Sequence, residues 1–239
     1  MRPDSPFRRA EAPSLRILRM GRGGEPVAVL DGVFAEPGAI IETVARRGEF
    51  SAAPVREGGY PGVQAPAPAA YVRALLAAAD EALAQLFGHA DGAIGGIGCA
   101  FSLVTLRPEQ LHPLQTVPHV DIAEEDRFAV LHYLCDQPFG GTAFYRQDAT
   151  GLEQVKRADW PGYTAARDAA LAAHGAHGYP NEATPGYTVT AQIPARMDRM
   201  LVYRSNTLHS GIIPADLPHP ADPRSGRLTG NLFGIYRRA

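Results

Sequence analysis

The chain has 239 residues, 45% hydrophobic and 20% charged, with a net charge of −2. That size and balance fit one globular domain with a sizeable core, and they give no electrostatic reason to expect nucleic acid or an anionic membrane as partner. No apolar run reaches the roughly 18 residues of a membrane span, and the opening MRPDSPFRRAEAP lacks the apolar core of a signal peptide, so a cytoplasmic protein is expected.

Residues 1–14, rich in Pro and Arg, are expected to be mobile. RILRM and PVAVLDGVF then read as short strands separated by a Gly-rich turn at 21–24. PGAIIETVARRG is a helix that starts at Pro37 and stops at Gly48. GGYPGVQAPAP reads as a loop. The clearest helix follows it, with Val72, Leu75, Leu76, Ala79, Leu83 and Leu86 at spacings of three and four, and with Gly88 as its stop.

From residue 97 the pattern changes to short runs rich in Val, Leu, Tyr, Phe and Thr: IGCAFSLVTL, FAVLHYL, GGTAFYR, YTVTAQIP, RMLVYRS, LHSGII and RLTGNLFGIYR. Many short strands with little helix between them predict a sandwich or barrel. Residues 1–96 are therefore read as strands and supporting helices of the same domain, and 97–239 as its β core with an insertion at 146–186. The body of that insertion, 150–186, holds the sole Trp in DWPGY and a short predicted helix, RDAALAAHG, and suits either a lid or a passive excursion. Cys99 and Cys135 lie in apolar strands and read as buried free thiols.

The chemistry concentrates in TVPHVDIAEED, where His119 and Asp121 stand two apart. On a strand, residues i and i+2 point the same way, so both can reach one metal. His209, in RMLVYRSNTLHSGI, is the candidate third ligand, supplied by another strand. Two imidazoles and a carboxylate suit Fe(II) and leave open positions on it. His-x-Asp alone is common and fits a polar bend between strands as well. The remaining histidines are weaker candidates. His112 precedes a proline in a turn, His132 lies in an apolar strand, His89 follows a helix end, and His174, His177 and His219 sit in polar or Pro-rich loops.

The order of the pieces resembles the Fe(II)/2-oxoglutarate-dependent oxygenases, in the layout of their prolyl 4-hydroxylase-like branch. The ordered pieces are His119-Val-Asp121, then LHYL with Tyr133, then GGTAFY, then MLVYRSNTLHSG with His209, then RLTGNLF from Arg227. Bacterial proteins of unassigned function with GGTAFYR and HSG stretches are similar over the whole length. The resemblance implies a double-stranded β-helix (jelly roll) core, mainly β with flanking helices (α+β), its N-terminal helices packed on one face. It further implies His119, Asp121 and His209 as catalytic iron ligands, 2-oxoglutarate as cosubstrate, and O₂ as oxidant. Arg227 and Thr229, with Asn231 on the same strand face, match the element that grips the cosubstrate's C5 carboxylate, and Tyr133 matches a tyrosine that hydrogen-bonds it.

A guanidinium suits that carboxylate because it stays charged and pairs bidentately. The stretch between His209 and Arg227, SGIIPADLPHPADPRSG, is longer than in most of the family, which makes Arg224 a competitor, but Arg224 lies in the turn-like DPRSG and Arg227, in the strand, is favoured. Tyr145 and Arg146 can face the pocket or cap the sheet. Ser205 and Asn206 are candidates for supporting hydrogen bonds near His209. Tyr60, Trp160 and Tyr163 either line a substrate mouth or anchor the core.

The expected function is hydroxylation of an unactivated C–H bond in a small molecule or peptide, with neither nucleic acid nor membrane as partner. Asp121 argues against a halogenase, whose relatives replace the carboxylate with a small residue. A cupin-like metal enzyme without 2-oxoglutarate stays open, as does a zinc hydrolase using Glu124 or Glu125, and a non-catalytic jelly-roll binding protein.

Overall fold

The structure, a computed structural model, describes residues 5–53, 59–216 and 218–238. The chain opens with the hairpin β1 (Ser14–Met20) and β2 (Glu25–Asp31), whose turn is closed by Gly21 and Gly24 at φ 62° and 65°. Helix α1 (Pro37–Arg47) carries its proline in the first turn, where the missing N–H costs nothing. Two short strands follow, β3 (Ser51–Ala52) and β4 (Gly62–Pro66). Helix α2 (Ala69–Phe87) ends on Gly88, left-handed at φ 74°, with its N–H donated to Ala84 O.

The β core runs through β5 (Gly92–Val104), β6 (Arg127–Tyr133), β7 (Gly141–Gln147), β8 (Tyr187–Pro194), β9 (Arg199–Arg204), β10 (His209–Ile212) and β11 (Leu228–Arg238). Helix α3 (Trp160–His174) lies between β7 and β8. The strands form an antiparallel eight-stranded sheet, β1-β2-β9-β6-β11-β5-β4-β3, and a three-stranded sheet, β10-β7-β8. Mainly β with flanking helices, this is the jelly-roll architecture.

The apolar runs read without alternation because both faces of the large sheet are covered. Along β6, Phe128 and Val130 point outward into a core with Ala28, Leu30 and the helices α1 and α2. Ala129 and Tyr133 point inward and meet Phe144 and Ile193 of the small sheet. Gly230 of β11 lies directly under the Tyr71 hydroxyl of α2, and a side chain there would collide with it. Helix α3 covers the outer face of the small sheet, where Tyr163 packs with Ala143, Tyr145 and Tyr187.

Four expectations change. The stretch read as a loop contains β4, which pairs with β5 through Gln64↔Ser102; its Pro66 falls at the strand's end, where a lost donor matters little. Strand β5 begins at Gly92, before the expected residue 97. Helix α3 begins at Trp160, because Pro161 sits in its first turn and not in a turn of its own. Of residues 1–14, the first four lie outside the described residues, while Phe7 is buried against Tyr71 and Arg9 bridges Phe34. Both cysteines are free thiols. No helix among the described residues is long and apolar enough to cross a membrane.

Candidate metal centre

His119 and His209 are an antiparallel backbone pair, exchanging N–H to O hydrogen bonds of 2.9 and 2.8 Å. Asp121 is held by its own N–H, which donates to Ser205 O at 2.9 Å. The stretch is not the expected strand, since His119 forms an isolated bridge and Asp121 lies in a bend, yet both side chains come to lie beside the facing histidine. Asp121 Oδ1 lies 3.9 Å from His119 Nε2 and 3.8 Å from His209 Nε2. The three ligand atoms fall within 4.8 Å of one another.

The donor set fits a metal cation. His209 Nδ1–H donates to Thr207 O at 2.9 Å, which fixes the tautomer and leaves a lone pair on Nε2. The buried Tyr203 hydroxyl meets that lone pair at 3.1 Å. Asp121 Oδ2 is buried with no hydrogen-bond partner among the described residues, an orphan that a cation would satisfy. Burial pushes the His209 pKa down to about 4, against the Thr207 hydrogen bond, so the ring is neutral at pH 7. Desolvation, and then His209, push His119 down to about 4, although 49% of its side chain opens to the cavity and water offsets part of the shift. Burial raises Asp121 to about 6, against the pull of His119.

These residues line a half-open cavity of about 390 Å³. Arg227 lines it too, at the start of β11, and is 4% exposed. Its Nε and Nη2 donate to Phe139 O at 3.0 Å and Gly141 O at 2.9 Å. Its guanidinium carbon lies 5.8 Å from the Tyr133 ring centroid. The Tyr133 hydroxyl bonds Thr142 Oγ1 at 2.5 Å, and burial raises its pKa to about 12, so the proton stays on. Thr229 Oγ1 and the Tyr60 hydroxyl are buried nearby without partners among the described residues. Burial raises the Tyr60 pKa, while the Arg227 charge pulls against it. Asn231 also lines the cavity, but its Nδ2 donates to Ser102 Oγ at 3.1 Å and not toward Arg227's end.

The structure separates other candidates from the cavity. Arg224 lies on the exterior and forms a two-pronged pair with Glu42 at 2.9 and 3.0 Å. Arg146 pairs with Glu153 at 3.8 Å, and Tyr145 faces the α3 side. Glu124 is engaged by Arg127 and Arg157, and Glu125 by Lys156 at 2.7 Å, so neither is poised to activate water. Trp160 and Tyr163 pack behind the small sheet, where the Tyr163 hydroxyl donates to Pro118 O at 3.3 Å and braces the residue before His119. Ser205 acts through its backbone; Asn206 Oδ1 has no partner among the described residues. His132 belongs to the outer core, its Nε2 3.0 Å from Asp198 and its Nδ1 2.8 Å from the Tyr71 hydroxyl.

Sequence reasoning missed Tyr203, Thr142, Gln64 and Tyr179. Alternation along RMLVYR, with Met200 and Val202 outward, would have turned Tyr203 inward toward His209. Tyr179 comes from the insertion, lines the cavity and donates to Leu106 O at 2.6 Å; nothing in the sequence ties it to the centre.

Fold and cluster together define a jelly roll with a His-Asp-His cluster in a cavity between its sheets. Residues 11–234 match the model of the Family of unknown function (DUF6445), and the chain belongs to that family. No curated protein sequence matches it. Among solved structures, the chain is similar to the non-haem α-ketoglutarate-dependent epimerase SnoN from nogalamycin biosynthesis, at 11% identity and TM-score 0.51, over 87% of this chain and 78% of that one. That likeness is one of fold. EvdO2 from Micromonospora carbonacea var. aurantiaca, solved with 2-oxoglutarate, gives 15% identity and TM-score 0.46 over 89% and 88% of the two chains. A dioxygenase of N-substituted L-amino acids from Burkholderia ambifaria AMMD gives 11% and 0.41 over 95% of each.

Proposed function

We propose that the protein is a non-haem Fe(II)- and 2-oxoglutarate-dependent dioxygenase that hydroxylates an unactivated C–H bond. One observation carries the reading. A single cavity contains a three-ligand cluster with an orphaned carboxylate oxygen and, apart from it, a buried arginine. His119, Asp121 and His209 would hold iron, and Arg227, Thr229 and Tyr133 the distal carboxylate of 2-oxoglutarate. Tyr133 beside Arg227 supports the prolyl 4-hydroxylase-like arrangement.

Bound there, iron supplies the redox chemistry by which substrate, O₂ and 2-oxoglutarate become hydroxylated substrate, succinate and CO₂. The chain's residues do the positioning. Arg227 is held by two carbonyls and needs no reorganisation to receive a carboxylate. Thr207 keeps the His209 ring turned toward the centre. Burial keeps the Tyr203 proton on, and its hydrogen bond to His209 Nε2 would give way to a metal taking that lone pair. Tyr60 and Tyr179 form part of the cavity wall.

The test is formation of succinate from 2-oxoglutarate in air. Turnover should require added Fe(II) and vanish in Asp121→Ala. Succinate release that persists without iron, or in that variant, would sink the assignment.

A further inference from the structure

Outside the His-Asp-His cluster, Arg227 is the sole permanently charged side chain among the described residues lining the cavity. The oxygenase reading assigns that cation to the cosubstrate. Among the described residues the second reactant then meets only neutral groups, and these are arranged in a particular way.

Gln64 of β4 and Ser102 of β5 are register partners, and Asn231 follows on β11. Gln64 Nε2 and Asn231 Nδ2 both donate to Ser102 Oγ, at 3.0 and 3.1 Å. One hydroxyl thus anchors two carboxamides by a single N–H each. The second N–H of each amide remains for another partner. Asn231 Oδ1 is buried and has no partner among the described residues. Beside this shelf the cavity is apolar. Leu131 is the register partner of Asn231, and Phe233, two residues on, is 38% exposed.

A zwitterion on the shelf would lose water from two charges and find no countercharge among the described lining residues, a heavy penalty. An amide carries a donor and an acceptor side by side, the pattern that a carboxamide side chain matches with two hydrogen bonds. The cavity, at about 390 Å³, is of small-molecule size.

We propose that the second reactant is an uncharged, amide-bearing small molecule, such as an N-acylated amino-acid amide or a cyclic lactam. Its amide docks on Gln64 and Asn231, and its apolar flank lies on Leu131 and Phe233. The proposal rests on the oxygenase reading, because an Arg227 not engaged by 2-oxoglutarate would be free to take a substrate carboxylate.

The test uses protein loaded with Fe(II) and 2-oxoglutarate under anaerobic conditions and two matched probe pairs. These are N-acetyl-L-leucinamide against L-leucine, and the diketopiperazine of leucine and proline against the linear zwitterionic dipeptide. Calorimetry and the visible band of the loaded centre report binding. The neutral member of each pair should shift the band and bind at least about tenfold tighter than its charged counterpart, the scale of one or two lost hydrogen bonds. Gln64→Leu should remove most of that preference, its own band showing an intact centre. Gln64→Glu should turn the preference toward cationic L-leucinamide. Charged members that bind as well as neutral ones, or a band that no probe shifts, would overturn the proposal. Failure of Fe(II) and 2-oxoglutarate to give a band before any probe is added would refute the oxygenase reading, and this proposal with it.

Discussion

Arg227→Ala separates a structural from a functional role in one variant. The guanidinium donates two hydrogen bonds, to Phe139 O and Gly141 O, and is buried. Hydrogen bonds from a charged donor are worth about 1.5–3 kcal/mol each, but the substitution also relieves the desolvation of the cation, so a net cost of about 2–4 kcal/mol is expected. For a chain of this length that lowers Tm by about 5–15 °C. Losing the cation opposite a buried carboxylate costs a further 2–5 kcal/mol in binding, or roughly 30- to 5,000-fold in the 2-oxoglutarate Kd. Calorimetry of 2-oxoglutarate binding to the metal-loaded protein, beside a thermal melt, reads both effects. Fe(II) affinity should survive, because Arg227 is not among the clustered ligands. Arg227→Lys should recover part of the affinity but not the bidentate geometry. Arg224→Ala should leave cosubstrate binding unchanged, since Arg224 faces Glu42 on the exterior. A 2-oxoglutarate Kd in Arg227→Ala within about threefold of the parent's would refute the reasoning, because the smallest expected loss, about 2 kcal/mol, is roughly 30-fold.

Three further outcomes are expected. Replacing His119, Asp121 or His209 with Ala should abolish Fe(II) binding in equilibrium dialysis, whereas losing a partner outside the ligand set, as in Tyr203→Phe, should change affinity by no more than about 10–100-fold. Metal affinity should be full above about pH 6, where Asp121 is ionised and both histidines are already neutral, and should fall about tenfold per pH unit below it. Steeper loss should set in as the imidazoles gain protons, near pH 4 for the buried His209 and earlier for the more exposed His119; a loss of roughly a thousandfold per pH unit beginning already near 6.5 would mean that both histidines titrate normally. His132→Leu leaves Asp198 and the Tyr71 hydroxyl short of a partner in the outer core, so a thermal melt should show a loss of about 2–4 kcal/mol with metal affinity intact.

The candidate metal cluster was legible because residues two apart in an extended stretch face the same way. His119 and Asp121 share a side by spacing, although only the bridge His119↔His209 and no strand forms there, and β10, which begins at His209, faces them. Arg227 and Arg224 were separated by their settings, one opening a strand and one in DPRSG, and the structure places the first inside the cavity and the second outside. What stayed hidden depends on contacts distant in the chain. GVQAP reads as a loop through its prolines, yet it pairs with β5 and brings Gln64 to Ser102. Tyr203 sits in a run apolar on both faces, so alternation groups it with Leu201 but only the fold shows that this face is the inner one. Phe7, alone among Pro and Arg, becomes core only because Tyr71 and Phe34 meet it.

Anaerobic titration of the metal-free protein with Fe(II) and 2-oxoglutarate, followed in the visible range, tests the central assignment most directly. The expected result is a weak charge-transfer band that needs both components, reaches a stoichiometric end point and is missing in His209→Ala. Tight metal binding with no band and no affinity for 2-oxoglutarate would contradict it.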